Sequence, residues 1–224
     1  MLEVLYEDNH LIAVNKHAGD IVQSDKTGDA TLADEVKAYI KEKYNKPGEV
    51  FLGIVHRIDR PVSGVVLFAR TSKALARLNE MFKNHTVTKI YWAICQDRPR
   101  EESAELRHYM SKNEDKNRAN VSINPRSGYK EAVLSYTLLA STPNINLLEV
   151  SLQTGRHHQI RAQLSRIGCP IRGDLKYGAK RSNEGGGINL HSRKLVFKHP
   201  VKDETVTIIA PTPKDNVWSI APND

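Results

Sequence analysis

Residues 56–69 read His56-Arg57-Ile58-Asp59-Arg60-Pro61-Val62-Ser63-Gly64-Val65-Val66-Leu67-Phe68-Ala69. The segment Gly64–Ala69 is apolar throughout, of strand length and without helical period, so it reads as a buried strand. Pro61 and Gly64 bracket its entrance and predict a rigid turn carrying Asp59. Upstream, Leu2–Tyr6 and Leu11–Val14 read as two short strands around the polar turn Glu7-Asp8-Asn9. Thr31 is placed to cap a helix running to about Tyr44, with Asp34 completing a capping box and Leu32, Val36, Tyr39 and Ile40 on one face. Downstream, Ser72 starts a helix with the apolar stripe Leu75, Leu78, Met81 and Phe82. Strands are predicted at Ile90–Cys95, Val133–Ala140, Leu147–Leu152, Leu195–Lys198 and Thr205–Ala210. A helix is predicted over His157–Ile167, with Ile160, Leu164 and Ile167 inward and Gly168 and Pro170 as its stop. Residues 111–128 are polar and read as a long exposed connection or loose hairpin, and Gly185-Gly186-Gly187 as a mobile turn. Strands outnumber helices and several are hairpin-connected. The expected fold is therefore α+β: one domain over residues 1–224, with a central, largely antiparallel mixed sheet flanked by helices and loops.

The 224 residues carry 33 Lys+Arg and 26 Asp+Glu, a net charge of +7, with 39% apolar residues. That composition suits one ordinary globular core and excludes disordered and collagen-like classes. No apolar run approaches the roughly 20 residues of a membrane helix. The first residues lack the basic and apolar regions of a signal peptide. Cys95 and Cys169 are far apart in sequence and form no metal or disulfide framework. The expectation is a soluble, cytoplasmic, monomeric protein. Its charge is uneven. Residues 156–181 hold Arg156, Arg161, Arg166, Arg172, Lys176, Lys180 and Arg181 against Asp174 alone. A basic cluster rich in Arg is either a solvated helix face or a surface for polyanions, and the accompanying His157, His158 and Gln159 favour the second.

Three segments can carry chemistry. Asp59 between Arg57 and Arg60 is either an ionised nucleophile or base on a stiff turn, or a structural carboxylate that satisfies turn N–H groups. Thr154-Gly155-Arg156-His157-His158-Gln159-Ile160-Arg161 stands where a strand turns into a helix. Thr154 or Gly155 would leave N–H groups open to an anion, and Arg161 would share a helix face with His157 and His158. No Cys or acid stands at ligand spacing from that His pair, which argues against metal; hydrogen bonding within the fold is the plainer role for His158 and Gln159. Tyr91 in Lys89-Ile90-Tyr91 suits either a core or an active site.

In this order and spacing the segments resemble the RluA family of RNA pseudouridine synthases. Gly168-Cys169-Pro170-Ile171-Arg172-Gly173-Asp174-Leu175-Lys176-Tyr177-Gly178 also fits, as do Leu190-His191, His199-Pro200, the stretch Leu5–Leu11, and Asn15-Lys16. Family members commonly have Pro where this chain has His17, and often Thr where it has Val62. Many also begin with a small S4 RNA-binding domain; this chain starts at the first catalytic-domain strand, so the catalytic domain is expected to supply most RNA contacts. The resemblance implies isomerisation of uridine to pseudouridine in ribosomal or transfer RNA, with no cofactor and no metal. It implies that Asp59 is the essential carboxylate, Arg161 its partner, Tyr91 a ring stacked on the uracil, and Arg57 the residue that fills the gap left by the extruded nucleotide. RNA contact is expected from Arg57, His56, Arg60, Arg156, His158, Gln159, Leu190, Arg172 and Lys176. Two other readings compete: a non-catalytic basic RNA-binding module of the same fold, and an unrelated aspartate-nucleophile hydrolase.

Overall fold

The computed structural model describes residues 2–24 and 29–222. Its first elements are β1 (Val4–Glu7) and β2 (Leu11–Lys16), joined by a turn in which the Asp8 carboxylate accepts the N–H groups of His10 and Leu11. α1 (Leu32–Lys43) starts where expected. The Thr31 hydroxyl accepts the Asp34 N–H and the Asp34 carboxylate accepts the Thr31 N–H, so two otherwise orphaned donors are satisfied. The two-residue β3 (Gly53–Ile54) and β4 (Ser63–Ala69) follow, then α2 (Ser72–Lys83), capped by the Thr71 hydroxyl. Next come β5 (Thr88–Cys95), β6 (Ser103–Asn113), β7 (Arg118–Ser122), β8 (Lys130–Ser141) and β9 (Asn146–Leu152). α3 (Gln159–Arg166), β10 (Leu190–Lys198) and β11 (Thr205–Ile209) complete the main elements.

These elements form two compact units: residues up to Thr88 with Ser192–Thr212, and Lys89–His191 with the segment from Pro213. In the first, the strand order is β1-β2-β4-β10, with β3 beside β4 and β11 beside β10. β2 and β4 are antiparallel, Leu11 opposite Ala69 and Lys16 opposite Gly64. Every residue of β4 is buried, as its unbroken apolar sequence requires. Leu11, Val65, Leu67, Leu78, Leu195 and Phe197 share one core, into which α2 turns Ala74 and Leu78. Gly64 has φ +111°, and a Cβ there would lie 2.3 Å from the Ser192 carbonyl oxygen. The β10 backbone thus comes close enough to β4 to leave room only for glycine.

In the second unit the order is β5-β9-β8-β6-β7, with every pairing antiparallel. Met110, Ala119, Ala132, Ala162 and Tyr177 pack together where α3 meets the β6–β7 hairpin, and Trp92, Ile94, Leu147 and Trp218 form a second cluster. The α+β class and the antiparallel pairing agree with the sequence. The polar stretch 111–128 takes the hairpin form of the two expected: β6 runs on to Asn113 and β7 returns from Arg118. Its turn is closed by the Asn113 carboxamide accepting the Lys116 N–H, and Asn117 is left-handed at φ 42°. A strand with one wet face at the end of a sheet needs few apolar residues. The helix expected from His157 starts at Gln159, because His158 is left-handed at φ 52° and ends the preceding loop.

Candidate active site

Asp59 is half-buried and opens a turn closed by the Val62 N–H donating to its carbonyl, immediately before β4. Lys16 braces that turn from beneath. Its Nζ is fully buried and donates to the carbonyls of His17 (2.8 Å), Arg60 (3.0 Å) and Val62 (2.7 Å). Three N–H groups meet three backbone acceptors, so the ammonium ties the end of β2 to the Asp59 turn. Burial pulls Lys16 down to about 8, against the opposing fields of Asp20 and Asp59, which favour its charge. Arg60 donates from Nε to the Gly19 carbonyl and pairs with Asp29 at 3.4 Å; Arg57 is exposed. His56 is built into the fold. Its Nε2 accepts the Leu67 N–H at 3.0 Å, and its ring stacks on Phe82 with centroids 5.0 Å apart.

In the second unit, Tyr91 is buried on β5 opposite Val150. Arg161 is buried on the first turn of α3 and grips Asp174 with two bonds, Nε to Oδ2 at 2.7 Å and Nη2 to Oδ1 at 2.9 Å. A bidentate pair of this kind fixes the guanidinium plane. The Tyr177 ring lies beneath that plane, 5.1 Å from Cζ to the ring centre. The Tyr177 hydroxyl accepts the Ala119 N–H at 2.7 Å and shares a hydrogen bond with His158 Nδ1 at 2.9 Å. Burial pushes the Tyr177 hydroxyl above its ordinary value. The rings of His157 and His158 stack with centroids 3.7 Å apart.

Gln159 locks the loop ahead of α3. Its Oε1 accepts the Thr154 hydroxyl and the Arg156 N–H, and its Nε2 donates to the Val133 carbonyl. The anion site expected at Thr154 or Gly155 is therefore corrected: the helix begins after them, and Gln159 takes the Arg156 N–H. The expectation that Arg161 shares a helix face with both histidines is corrected too, since His157 precedes the helix and His158 only caps it. Arg156 donates to the Glu131 carbonyl and Lys176 to the Asn117 carbonyl, both at the surface. Arg172 is half-buried and Leu190 is buried at the head of β10. The basic window is thus not one face, because Arg161 is inside and paired with Asp174. Sequence reasoning gave no role to Lys16, Asp174 or Tyr177. A lysine closing the apolar run Leu11-Ile12-Ala13-Val14 was a signal for the first, and an acid alone among seven cations for the second.

Among the described residues no three His, Cys, Asp or Glu side chains gather closely enough to hold a metal ion, and no helix is long and apolar enough to cross a membrane.

The model of the RNA pseudouridylate synthase family matches residues 10–166. An uncharacterized RNA pseudouridine synthase of Synechocystis is 34% identical over 95% of this chain and 66% of its own length. The tRNA pseudouridine synthase C of Pectobacterium carotovorum is 32% identical over 94% of this chain and 59% of its own. The ribosomal large subunit pseudouridine synthase D of Zymomonas mobilis is 32% identical over 96% and 70%. The chain thus spans about two thirds of the length of these relatives. In fold it is similar to human RNA pseudouridylate synthase domain containing 4, with a TM-score of 0.79 over 95% of this chain and 89% of that one at 24% identity.

Proposed function

Since the chain belongs to the RNA pseudouridylate synthase family, of the RluA type, we propose that it isomerises uridine to pseudouridine in structured RNA, with large-subunit ribosomal RNA as substrate. The N1–C1′ bond breaks, the uracil turns, C5 bonds to C1′, and the C5 proton is passed to N1. No redox partner or transferred group enters that balance. Asp59 is the essential carboxylate. It acts ionised whether it attacks the sugar, attacks the base or removes a sugar proton. Tyr91 stacks on the uracil, and such stacking, worth about 1–3 kcal/mol per base, offsets much of the cost of extruding the nucleotide. Arg57 takes the vacated place in the stack. Arg161, held in one orientation by Asp174, supplies fixed positive charge to the reaction. Arg60, Arg156, Arg172 and Lys176 meet phosphates, which position the RNA without specifying it.

The observation that supports this reading is the seat of Asp59: a half-buried carboxylate on a turn whose carbonyls are held by a buried ammonium. The test is pseudouridine mapping of total RNA treated with the protein and with Asp59→Asn. Loss of product in a folded Asp59→Asn variant is expected; full activity in that variant overturns the assignment. A second reading, transfer RNA as substrate, is favoured by the relative named for tRNA at the same 32% identity, and the same map distinguishes it. RNA binding with no chemical change in either RNA would favour the non-catalytic module.

A further inference from the structure

The second unit holds a cavity of about 410 Å³ between the β6–β7 hairpin and α3, with Tyr177 in its wall. Its size lies within the roughly 300–1,000 Å³ of pockets that hold small organic ligands. Lys116 and Arg118 line it from the hairpin and Arg166 from the last turn of α3. Asn113, Asn120 and Tyr129 add two carboxamides and a ring, and no carboxylate is present. All three cations are exposed, and none forms an ion pair among the described residues. Other cations of this unit do pair: Arg98 meets Glu102, Arg107 meets Glu105 and Glu131, Lys112 meets Glu114, and Arg161 meets Asp174. Three like charges around one hollow repel each other, and an anion seated there relieves the repulsion. The Arg118 guanidinium rests 4.9 Å from the centre of the Tyr177 ring, which keeps its planar fork at the wall of the cavity.

From this arrangement we infer that the cavity receives a nucleotide of the substrate RNA other than the uridine being isomerised. Its phosphate meets Lys116, Arg118 and Arg166, and its base lies against Tyr129 within reach of the Asn113 and Asn120 amides. Amides can donate to and accept from a base edge, and a phenol ring stacks on any base. The inference rests on the reading of the chain as an RNA-modifying enzyme.

The test is binding of a fluorescein-labelled, uridine-containing stem–loop RNA across a series of KCl concentrations. The triple variant Lys116→Gln/Arg118→Gln/Arg166→Gln removes only exposed side chains, so folding is retained and far-ultraviolet circular dichroism checks it. A control, Lys41→Gln/Lys46→Gln/Lys73→Gln, removes the same charge from exposed positions of the first unit. Each lost phosphate contact flattens the slope of log K against log salt by about 0.7, so the cavity variant, which loses one, is expected to lose about 0.7 from the slope and about 5-fold in affinity at about 0.1 M salt. The control is expected to lose far less. Equal losses in both variants, or an unchanged slope in the cavity variant, overturn the inference while the RNA reading stands. Stabilisation of the wild type by inorganic phosphate or uridine monophosphate that the cavity variant lacks, with RNA binding unchanged, assigns the cavity to a free anion and also overturns it. No binding of RNA by the wild type, together with no pseudouridine formed, removes the inference along with the reading beneath it.

Discussion

Gly64→Ala tests whether the close approach of β10 to β4 is real. The added Cβ would sit 2.3 Å from the Ser192 carbonyl oxygen, 2.6 Å from its nitrogen and 2.7 Å from its carbonyl carbon. All three are backbone atoms, so no side chain can swing away and the strands must part. Forced overpacking of this kind costs about 1–3 kcal/mol. The φ of +111° adds about 1–3 kcal/mol for a residue bearing a Cβ. Alanine also restricts the unfolded chain, which returns about 0.4–1 kcal/mol. The net expectation is a loss of roughly 3 kcal/mol. Gly128→Ala is the matched control: φ there is +75°, with nothing within 4 Å of where the new methyl would stand. It carries the backbone strain without the collision, so its loss should stay near or below about 1 kcal/mol. Urea unfolding of both variants with a shared slope measures the difference. A gap smaller than about 1 kcal/mol would refute the steric argument.

Three other substitutions probe the site. Asp174→Asn takes away the carboxylate that grips the buried Arg161 charge and should cost about 3–5 kcal/mol in urea unfolding, with pseudouridine formation lost; a loss under 1 kcal/mol would show that the pair is not buried in solution. Tyr177→Phe keeps the ring under Arg161 but takes the hydroxyl from the Ala119 N–H and His158 Nδ1, for about 2–3 kcal/mol. Near-complete activity at a permissive temperature is expected there, and a catalytic loss without a stability loss would contradict it. Lys16, pulled to about 8 from an ordinary 10.5, sheds its proton in the folded state first. Between those values the unfolded chain binds more protons, so this residue's contribution to stability rises with pH, while the Asp59 turn loses one of its three N–H donors. The rate of pseudouridine formation should therefore fall above pH 8 in the wild type, and a Lys16→Met variant should lack that limb.

Where a pattern is local, the sequence carried it. Thr31 and Asp34 stand three apart, and that spacing alone located the start of α1. The unbroken run from Gly64 to Ala69 located β4, because only burial on both faces tolerates it. The β6–β7 hairpin was legible only as one of two alternatives, since its residues are chosen by solvent on one side and its turn is made by Asn rather than Gly. The start of α3 escaped for a different reason. His158 adopts a left-handed backbone, which its residue type does not announce; the Tyr177 hydroxyl that holds the ring is nineteen positions away. The same distance problem hid Asp174 as the anchor of Arg161 and Lys16 as the brace of residues 60 and 62. Asp59 was visible as a candidate because its neighbours are charged and its turn is punctuated by Pro and Gly. What fixes that turn comes from β2, more than forty residues earlier.

The first unit is assembled from two stretches far apart in the chain: Leu195, Phe197, Val206 and Ile208 complete a core begun by Leu11 and Val65. During synthesis the amino-terminal strands therefore leave the ribosome long before the residues that cover them. More than a hundred residues intervene between Thr88 and Ser192. Closing a loop of that length costs roughly 4 kcal/mol of chain entropy, a non-local step of the kind that slows folding. The second unit, drawn mostly from that intervening stretch, can order itself first and shorten the gap that the returning strands must bridge. Nascent chains arrested near residue 191 should accordingly leave β2 and β4 open to proteolysis, and release of residues 192–212 should protect them.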